Sequence, residues 1–263
     1  MDPPRRGRAL LVVVSEFHTR PGARRDPLPP RRGAKRDADL LFQVLSGLNY
    51  QVRLHYDLTA EETYALYEQE SCEKQGEFFL SVISSHGEEG AIYDFYGSPV
   101  KLANIFKILS PERCPALAAV PKIIFVQACR GDLLDAGVEL ETDSIEPPED
   151  SFSHYLSIPS DTTVMFASSA GYAAFLNPSG SVFLQTLCEL LRGGERDLEL
   201  LQLMTRLNHT VAHRFQARGL YRGSKAMPCL ISTMTREVYP FSTLTKEECE
   251  ERQRKWRVPA GEL

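Results

Sequence analysis

Short apolar runs alternate along this chain with longer stretches of mixed polarity. The runs predict β-strands over residues 9–14, 50–55, 78–84, 120–127 and 162–168, with a last strand near 228–235. The stretches between them predict helices over about 36–48, 60–73, 101–109, 181–192 and 197–216. Such alternation favours a three-layer α/β fold, in which a mostly parallel sheet carries helices on both faces.

Two of the apolar runs end in residues that suit chemistry. The run 120–126 leads into the pentapeptide QACRG at 127–131, which contains Cys129, and the run 78–83 leads into SSHGEEG at 84–90, which contains His86. Functional groups gather at the carboxyl ends of parallel strands. We therefore expect two neighbouring strands to bring Cys129 and His86 together.

Acyl transfer is the chemistry that this pair suggests. A free cysteine is mostly thiol at neutral pH, so a nucleophilic cysteine needs a nearby base, for which His86 is the candidate. The backbone N–H groups of Gly87 and Cys129 would suit a developing oxyanion, because glycine permits a close backbone approach. The alternative is that Cys129 is a small buried hydrophobic residue, the commoner role of a cysteine at a strand end.

Composition limits the classes of protein that fit. The chain has 43% hydrophobic and 25% charged residues, typical of a globular protein with one large core, and a net charge of -5 argues against a general nucleic-acid binder. Partners are therefore expected to be proteins or peptides. The six cysteines are scattered without a C-x-x-C pair, which indicates a reducing, intracellular compartment and neither a disulfide framework nor a zinc ribbon. No apolar stretch approaches the roughly 18 residues of a membrane span. We expect no cofactor and no metal.

The motifs resemble those of the caspases. QACRG with an upstream histidine is a caspase signature, and four further segments look like executioner-caspase sequence: SHGEEG at 85–90, GSVFLQTLC at 180–188, MPCL at 227–230 and TREVY at 235–239. The resemblance extends from about residue 9 to 241. The chain resembles the short-prodomain, executioner-like group of the family, and caspase-14 is another similar relative.

Membership would imply a caspase-hemoglobinase fold with a six-stranded sheet and a chain cut into two subunits. The large subunit would span 1–143, with a prodomain of about 1–8, and the small subunit 144–263, with a linker of about 132–161 and a charged tail of about 242–263. The sequence LETDS at 140–144 resembles the inter-subunit cleavage site, so the zymogen would be cut between Asp143 and Ser144. The resemblance also implies dimerisation through the last strand, cytoplasmic and also nuclear localisation, and a role in apoptosis or differentiation.

The resemblance also assigns the site residues. Cys129 would be the nucleophile and His86 the general acid/base, with Gly87 and Cys129 forming the oxyanion hole. In the family, two arginines and a glutamine hold a substrate aspartate. The expected substrate-binding residues here are Arg31, Gln127, Ser169, Phe175 and Leu176.

Leu176 departs from the family pattern, because it stands where the second arginine belongs. No Arg or Lys occurs between Gly171 and Leu191 that a shift in alignment could place there. Removing one partner of a buried ion pair costs about 3–5 kcal/mol, equivalent to a hundredfold to several-thousandfold loss of aspartate recognition.

Three hypotheses follow. The chain is a cysteine endopeptidase with weak or altered specificity, a catalytically impaired pseudo-caspase that pairs with or regulates other caspases, or a binding module that shares only the fold. The nearly complete set of motifs disfavours the third, and the intact catalytic residues favour the first over the second.

Overall fold

The computed structural model describes residues 6–22, 26–73, 76–131, 133–134, 158–217 and 222–244, together with 247–248 and 251. The proposed processing site at Asp143 and Ser144, most of the linker and most of the charged tail lie outside these residues. No helix in the described part is long and apolar enough to cross a membrane.

A six-stranded sheet forms the centre of the molecule. Its strands are β1 (Gly7–Val13), β2 (Tyr50–Tyr56), β3 (Phe78–Ser84), β7 (Lys122–Gln127), β8 (Thr162–Phe166) and β11 (Cys229–Ser232), arranged in the order β11-β8-β7-β3-β1-β2. All pairs are parallel except β11 with β8. The predicted fold class is therefore confirmed.

Five helices cover the two faces of this sheet. They are α1 (Ala34–Gly47), α2 (Ala60–Cys72), α3 (Leu102–Ile108), α4 (Val182–Arg192) and α5 (Leu200–Arg214) in the described residues. Side chains alternate along a strand, so Ala9 and Leu11 of β1 belong to one core with α1, α4 and α5. Leu10 and Val12 belong to the other core, with α2 and α3. Because both faces are covered, the inner strands are continuous apolar runs, which is why the sequence pattern reveals them.

The shortest elements are absent from the sequence prediction. A three-stranded antiparallel sheet follows His86, formed by β4 (Gly87–Glu88), β5 (Ala91–Tyr93) and β6 (Pro99–Lys101). Between the predicted strand 162–168 and the predicted helix 181–192, where no element is predicted, lies a hairpin of β9 (Leu176–Asn177) and β10 (Gly180–Ser181). The expected helix 197–216 begins only at Leu200, since a 3₁₀ turn occupies Gly194–Asp197.

Candidate active site

The two catalytic candidates follow adjacent strands of the sheet. His86 lies just beyond the end of β3 and Cys129 just beyond the end of β7, and these strands pair in parallel with Ser84 opposite Gln127. A further hydrogen bond from Ser85 N–H to the Gln127 carbonyl, at 3.1 Å, continues the pairing past the last residues of the strands. The expected adjacency of the two strand ends is confirmed.

A cavity of about 270 Å³ opens at this edge of the sheet. It brings together five of the sequence-predicted site residues, which come from segments far apart in the chain. They are Arg31, His86, Gln127, Cys129 and Leu176.

Cys129 is half-buried and faces the loop that precedes β9. Its Sγ accepts a hydrogen bond from Ala174 N–H at 3.3 Å and lies 3.6 Å from the Ala174 carbonyl oxygen. The thiol is free. Its sulfur therefore lies at the wall of the cavity, within reach of a substrate, and is not sealed in the core.

His86 is held in an orientation that fixes its tautomer. Its Nε2 lies 2.9 Å from the carbonyl oxygen of Pro29, and its ring contacts the ring of Phe17 with centroids 5.0 Å apart. A carbonyl only accepts hydrogen bonds, so in the neutral ring Nε2 carries the hydrogen and Nδ1 keeps the lone pair. Burial lowers the pKa of His86, the Pro29 carbonyl opposes this shift, and the charge of Arg31 adds to it. The ring is thus kept neutral and ready to accept a proton.

Gly87 lies where the loops after β3 and β7 approach each other most closely. A Cβ at this position would lie 2.7 Å from the Ala91 carbonyl oxygen and 3.0 Å from the Cβ of Ala128. It would also lie 3.1 Å from the Cys129 carbonyl oxygen. Only glycine allows this approach, which brings its backbone beside that of Cys129.

Arg31 is a buried, pre-positioned cation. Its guanidinium donates to the Val14 carbonyl at 2.8 Å and to Ser84 Oγ at 3.0 Å, with a longer contact of 3.5 Å to the Gln127 carbonyl. Burial lowers its pKa to about 10, and Asp37 and Cys129 partly oppose this shift. Arg31 therefore remains charged at neutral pH and presents a fixed positive charge to the cavity.

Gln127 contributes an amide with spare hydrogen-bonding capacity. Its side chain is 2% exposed, and within the described part of the chain its Oε1 has no hydrogen-bond partner. A buried polar atom without a partner is uncommon in folded proteins. Since Gln127 lines the cavity, a ligand there could satisfy it.

The hairpin β9–β10 carries Leu176 and is held against α1 by a residue that the sequence analysis missed. Asp37 Oδ2 accepts a hydrogen bond from Ser181 N–H at 2.8 Å. Burial raises the pKa of Asp37 to about 6, against the effects of Ser181, Arg31 and Gln185. Asp37 and Ser181 are 144 positions apart, so no local sequence pattern reveals this contact.

Two expected substrate-binding residues are absent from the cavity lining. Phe175 packs against Phe215, with ring centroids 4.9 Å apart. Ser169 Oγ donates to the Met227 carbonyl at 3.2 Å. Ser169 and Phe175 are therefore not among the residues that line the cavity, although Phe175 lies between two that do, Ala174 and Leu176.

Arg130 connects the loops that carry Cys129 and His86, and it too was not singled out from the sequence. Its Nη2 donates to Glu89 Oε1 at 2.8 Å, and its guanidinium lies 4.3 Å from the ring centroid of Phe166. The Arg130 side chain is buried, so removing Glu89 would leave a buried charge without this carboxylate. Among the residues described, no cluster of three His, Cys, Asp or Glu side chains could hold a metal ion.

Comparisons with known proteins agree with this geometry. The family described as Caspase domain matches residues 6–239. Caspase-3 of Felis catus is 34% identical over 245 residues, covering 91% of this chain and 85% of that protein. Caspase-3 of Mus musculus is 33% identical with the same coverage. Among solved structures, caspase-1 of Spodoptera frugiperda superposes with a TM-score of 0.77 at 28% identity, covering 91% of this chain and 93% of the other.

Proposed function

The chain belongs to the caspase family of cysteine endopeptidases, and from this premise we propose that it cleaves proteins after aspartate through an acyl-enzyme on Cys129. The observation that carries the proposal is the cavity itself. Cys129, His86 and the buried cation Arg31 line one space, at the ends of two adjacent parallel strands.

The proposed mechanism uses the groups described above. The thiol proton of Cys129 passes to Nδ1 of His86 as sulfur attacks the scissile carbonyl, and the backbone N–H groups of Gly87 and Cys129 stabilise the oxyanion. His86 then gives the proton to the leaving amine as the C–N bond breaks, which leaves a thioester. Water, deprotonated by His86, attacks the thioester and releases the acid and the free thiol.

We propose that recognition of aspartate is weak or altered. Leu176 occupies the position from which a second arginine would reach the substrate carboxylate, and a leucine offers no hydrogen bond. Leu176→Arg is expected to raise kcat/KM for aspartate substrates about a hundredfold. The increase is measured with matched peptides that end in aspartate or asparagine. A gain that is equal for both peptides would mean that position 176 does not contact the substrate side chain.

The proposal also covers how the protein is activated, how it assembles and where in the cell it acts. We propose cleavage between Asp143 and Ser144 by an activating protease, and pairing of two molecules through β11. Among the described strands β11 is the last on its side of the sheet, and its side chains range from partly buried to exposed. The proposed setting is the cytoplasm and nucleus, in apoptotic or differentiation-linked proteolysis.

Active-site labelling tests whether Cys129 is an activated nucleophile. A peptide chloromethyl ketone ending in aspartate alkylates a thiolate with loss of chloride, and mass spectrometry gives the labelling rate at each cysteine. Cys72 provides the matched comparison because it is exposed, whereas Cys129 is only half exposed. We expect Cys129 to react at least about tenfold faster than Cys72, and His86→Ala to slow Cys129 roughly a hundredfold. Rates that simply follow exposure would contradict the proposal.

A catalytically impaired pseudo-caspase is the second candidate, and Leu176 is the observation that favours it. In that case the protein would act as a dimerisation partner or regulator of other caspases. It would label poorly at Cys129 and cleave no peptide, yet would still associate with an active caspase.

A further inference from the structure

The cavity contains more positive charge than the loss of an arginine at position 176 suggests. Two arginines line it, Arg31 and Arg32, and none of its lining residues is an aspartate or glutamate. The positive charge comes from these arginines and not from His86, because the lowered pKa of His86 keeps its ring neutral near pH 7. The chain as a whole has a net charge of -5, so the positive charge of the cavity is opposite in sign to that of the whole chain.

Arg32 differs from Arg31 in the exposure and the hydrogen bonding of its side chain. Arg31 is buried and already donates to the main chain and to Ser84. Arg32 is exposed, and within the described part of the chain no hydrogen bond or ion pair involves it. Its five N–H donors are therefore available to a ligand.

The backbone around Arg32 lies against the strand that carries Leu176. Gly33 has a φ of 108°, in the region that favours glycine. A Cβ on Gly33 would lie 2.1 Å from the Asn177 carbonyl oxygen, so the turn packs directly on β9. Arg32 and Leu176 therefore belong to two segments in contact, both of which line the cavity.

We propose that Arg32 supplies, in part, the second cation that Leu176 cannot, so that a substrate's acidic side chain is held between Arg31 and Arg32. A carboxylate between two guanidinium groups accepts charge-assisted hydrogen bonds from both. Because Arg32 is exposed, its contribution is smaller than that of a buried arginine and is screened by salt. This inference rests on the proposed function only in taking the cavity as the place where the substrate side chain binds.

The test is a binding measurement that needs no catalysis. The probe is a fluorescently labelled peptide with the sequence of residues 138–146, and its counterpart carries Asp143→Asn. Both are titrated by fluorescence anisotropy with the full chain carrying Cys129→Ala. We expect the aspartate peptide to bind about tenfold more tightly than the asparagine peptide. Adding Arg32→Ala should remove most of that preference, and raising the salt concentration should reduce it.

The matched control is Arg36→Ala, because Arg36 is an exposed arginine on α1 that does not line the cavity. It should leave the preference unchanged. The inference is overturned if Arg32→Ala keeps the full preference for aspartate, if Arg36→Ala lowers it equally, or if neither peptide binds. Failure of the proposed function gives a different result: the wild-type chain is not labelled at Cys129 and cleaves no peptide. That result does not depend on the outcome of the binding measurement.

Discussion

Single residues near the cavity are placed where burial changes their protonation. Burial lowers the pKa of His86 and raises that of Asp37 to about 6. The neutral form of His86 is the form that a general base needs. Asp37 is mostly charged at neutral pH although it is 2% exposed, so its charge is held in a protein environment that disfavours it.

Asp37→Asn is expected to change how stability depends on pH. The folded pKa is above the unfolded value of 3.8, so the folded chain binds the extra proton and wild-type stability falls as pH rises from about 4 through about 6. Asparagine keeps an oxygen for Ser181 N–H but does not ionise. The free energy of unfolding of the variant, relative to wild type, should therefore rise by about 2–3 kcal/mol between pH 4 and pH 8.

Urea unfolding of both proteins across this pH range measures the difference. Other ionisable groups are common to the two proteins, so subtraction isolates Asp37. A difference that is flat with pH would show that Asp37 does not titrate in this range.

At the scale of elements, the hairpin β9–β10 depends on its contact with α1. Gly180 has a φ of 121°, and a Cβ there would lie 2.2 Å from Asp37 Oδ1 and 2.2 Å from Gln185 Nε2. A larger residue at this position would strain the backbone and would push the ends of the Asp37 and Gln185 side chains away from the hairpin. Because the hairpin carries Leu176, its position sets one wall of the cavity.

Gly180→Ala should displace the hairpin. We expect a lower melting temperature and weaker binding of the acidic peptide, since both the backbone conformation and the contact with Asp37 become strained. Gly47→Ala is the control, because nothing lies within 4 Å of a Cβ at that helix end. Equal effects of the two substitutions on melting and binding would contradict this role for the hairpin.

The strands and helices also show which parts of the structure can be predicted from the sequence alone. The strand ends that hold Cys129 and His86 are predictable, because buried parallel strands are unbroken apolar runs and functional groups follow them. The two-residue strands β9 and β10 are too short to show any periodicity. Asp37 and Arg32 contact or adjoin segments that are distant in the sequence and meet only in the folded chain. Their roles at the cavity therefore cannot be predicted from their residue types.

At the scale of the whole molecule, the sheet is joined to the α2 layer by a buried ionic network. Glu70 of α2 receives hydrogen bonds from Arg8 of β1 at 2.8 and 3.0 Å and from Arg53 of β2 at 2.6 Å. Glu70 and Arg8 are both buried. The network therefore links one helix to two strands.

Glu70→Ala should destabilise the whole fold by about 3 kcal/mol, because it leaves the buried Arg8 with only the longer contact to Glu73, at 3.6 Å. Glu68→Ala is the matched control on the exposed side of the same helix and should have little effect. Denaturant unfolding measures both. A loss below about 1 kcal/mol for Glu70→Ala would show that Arg8 does not depend on Glu70, because Glu73 or water compensates its charge.

Cleavage by the assembled molecule tests the central claim most directly. Purified protein, before and after a cut following Asp143, is incubated with a positional peptide library beside an identically prepared Cys129→Ala variant, and the products are read by mass spectrometry. We expect the wild-type chain to cleave peptides, with an acidic residue before the broken bond, and the variant to cleave none. No cleavage at any residue type by the wild-type chain, or equal cleavage by Cys129→Ala, would contradict it.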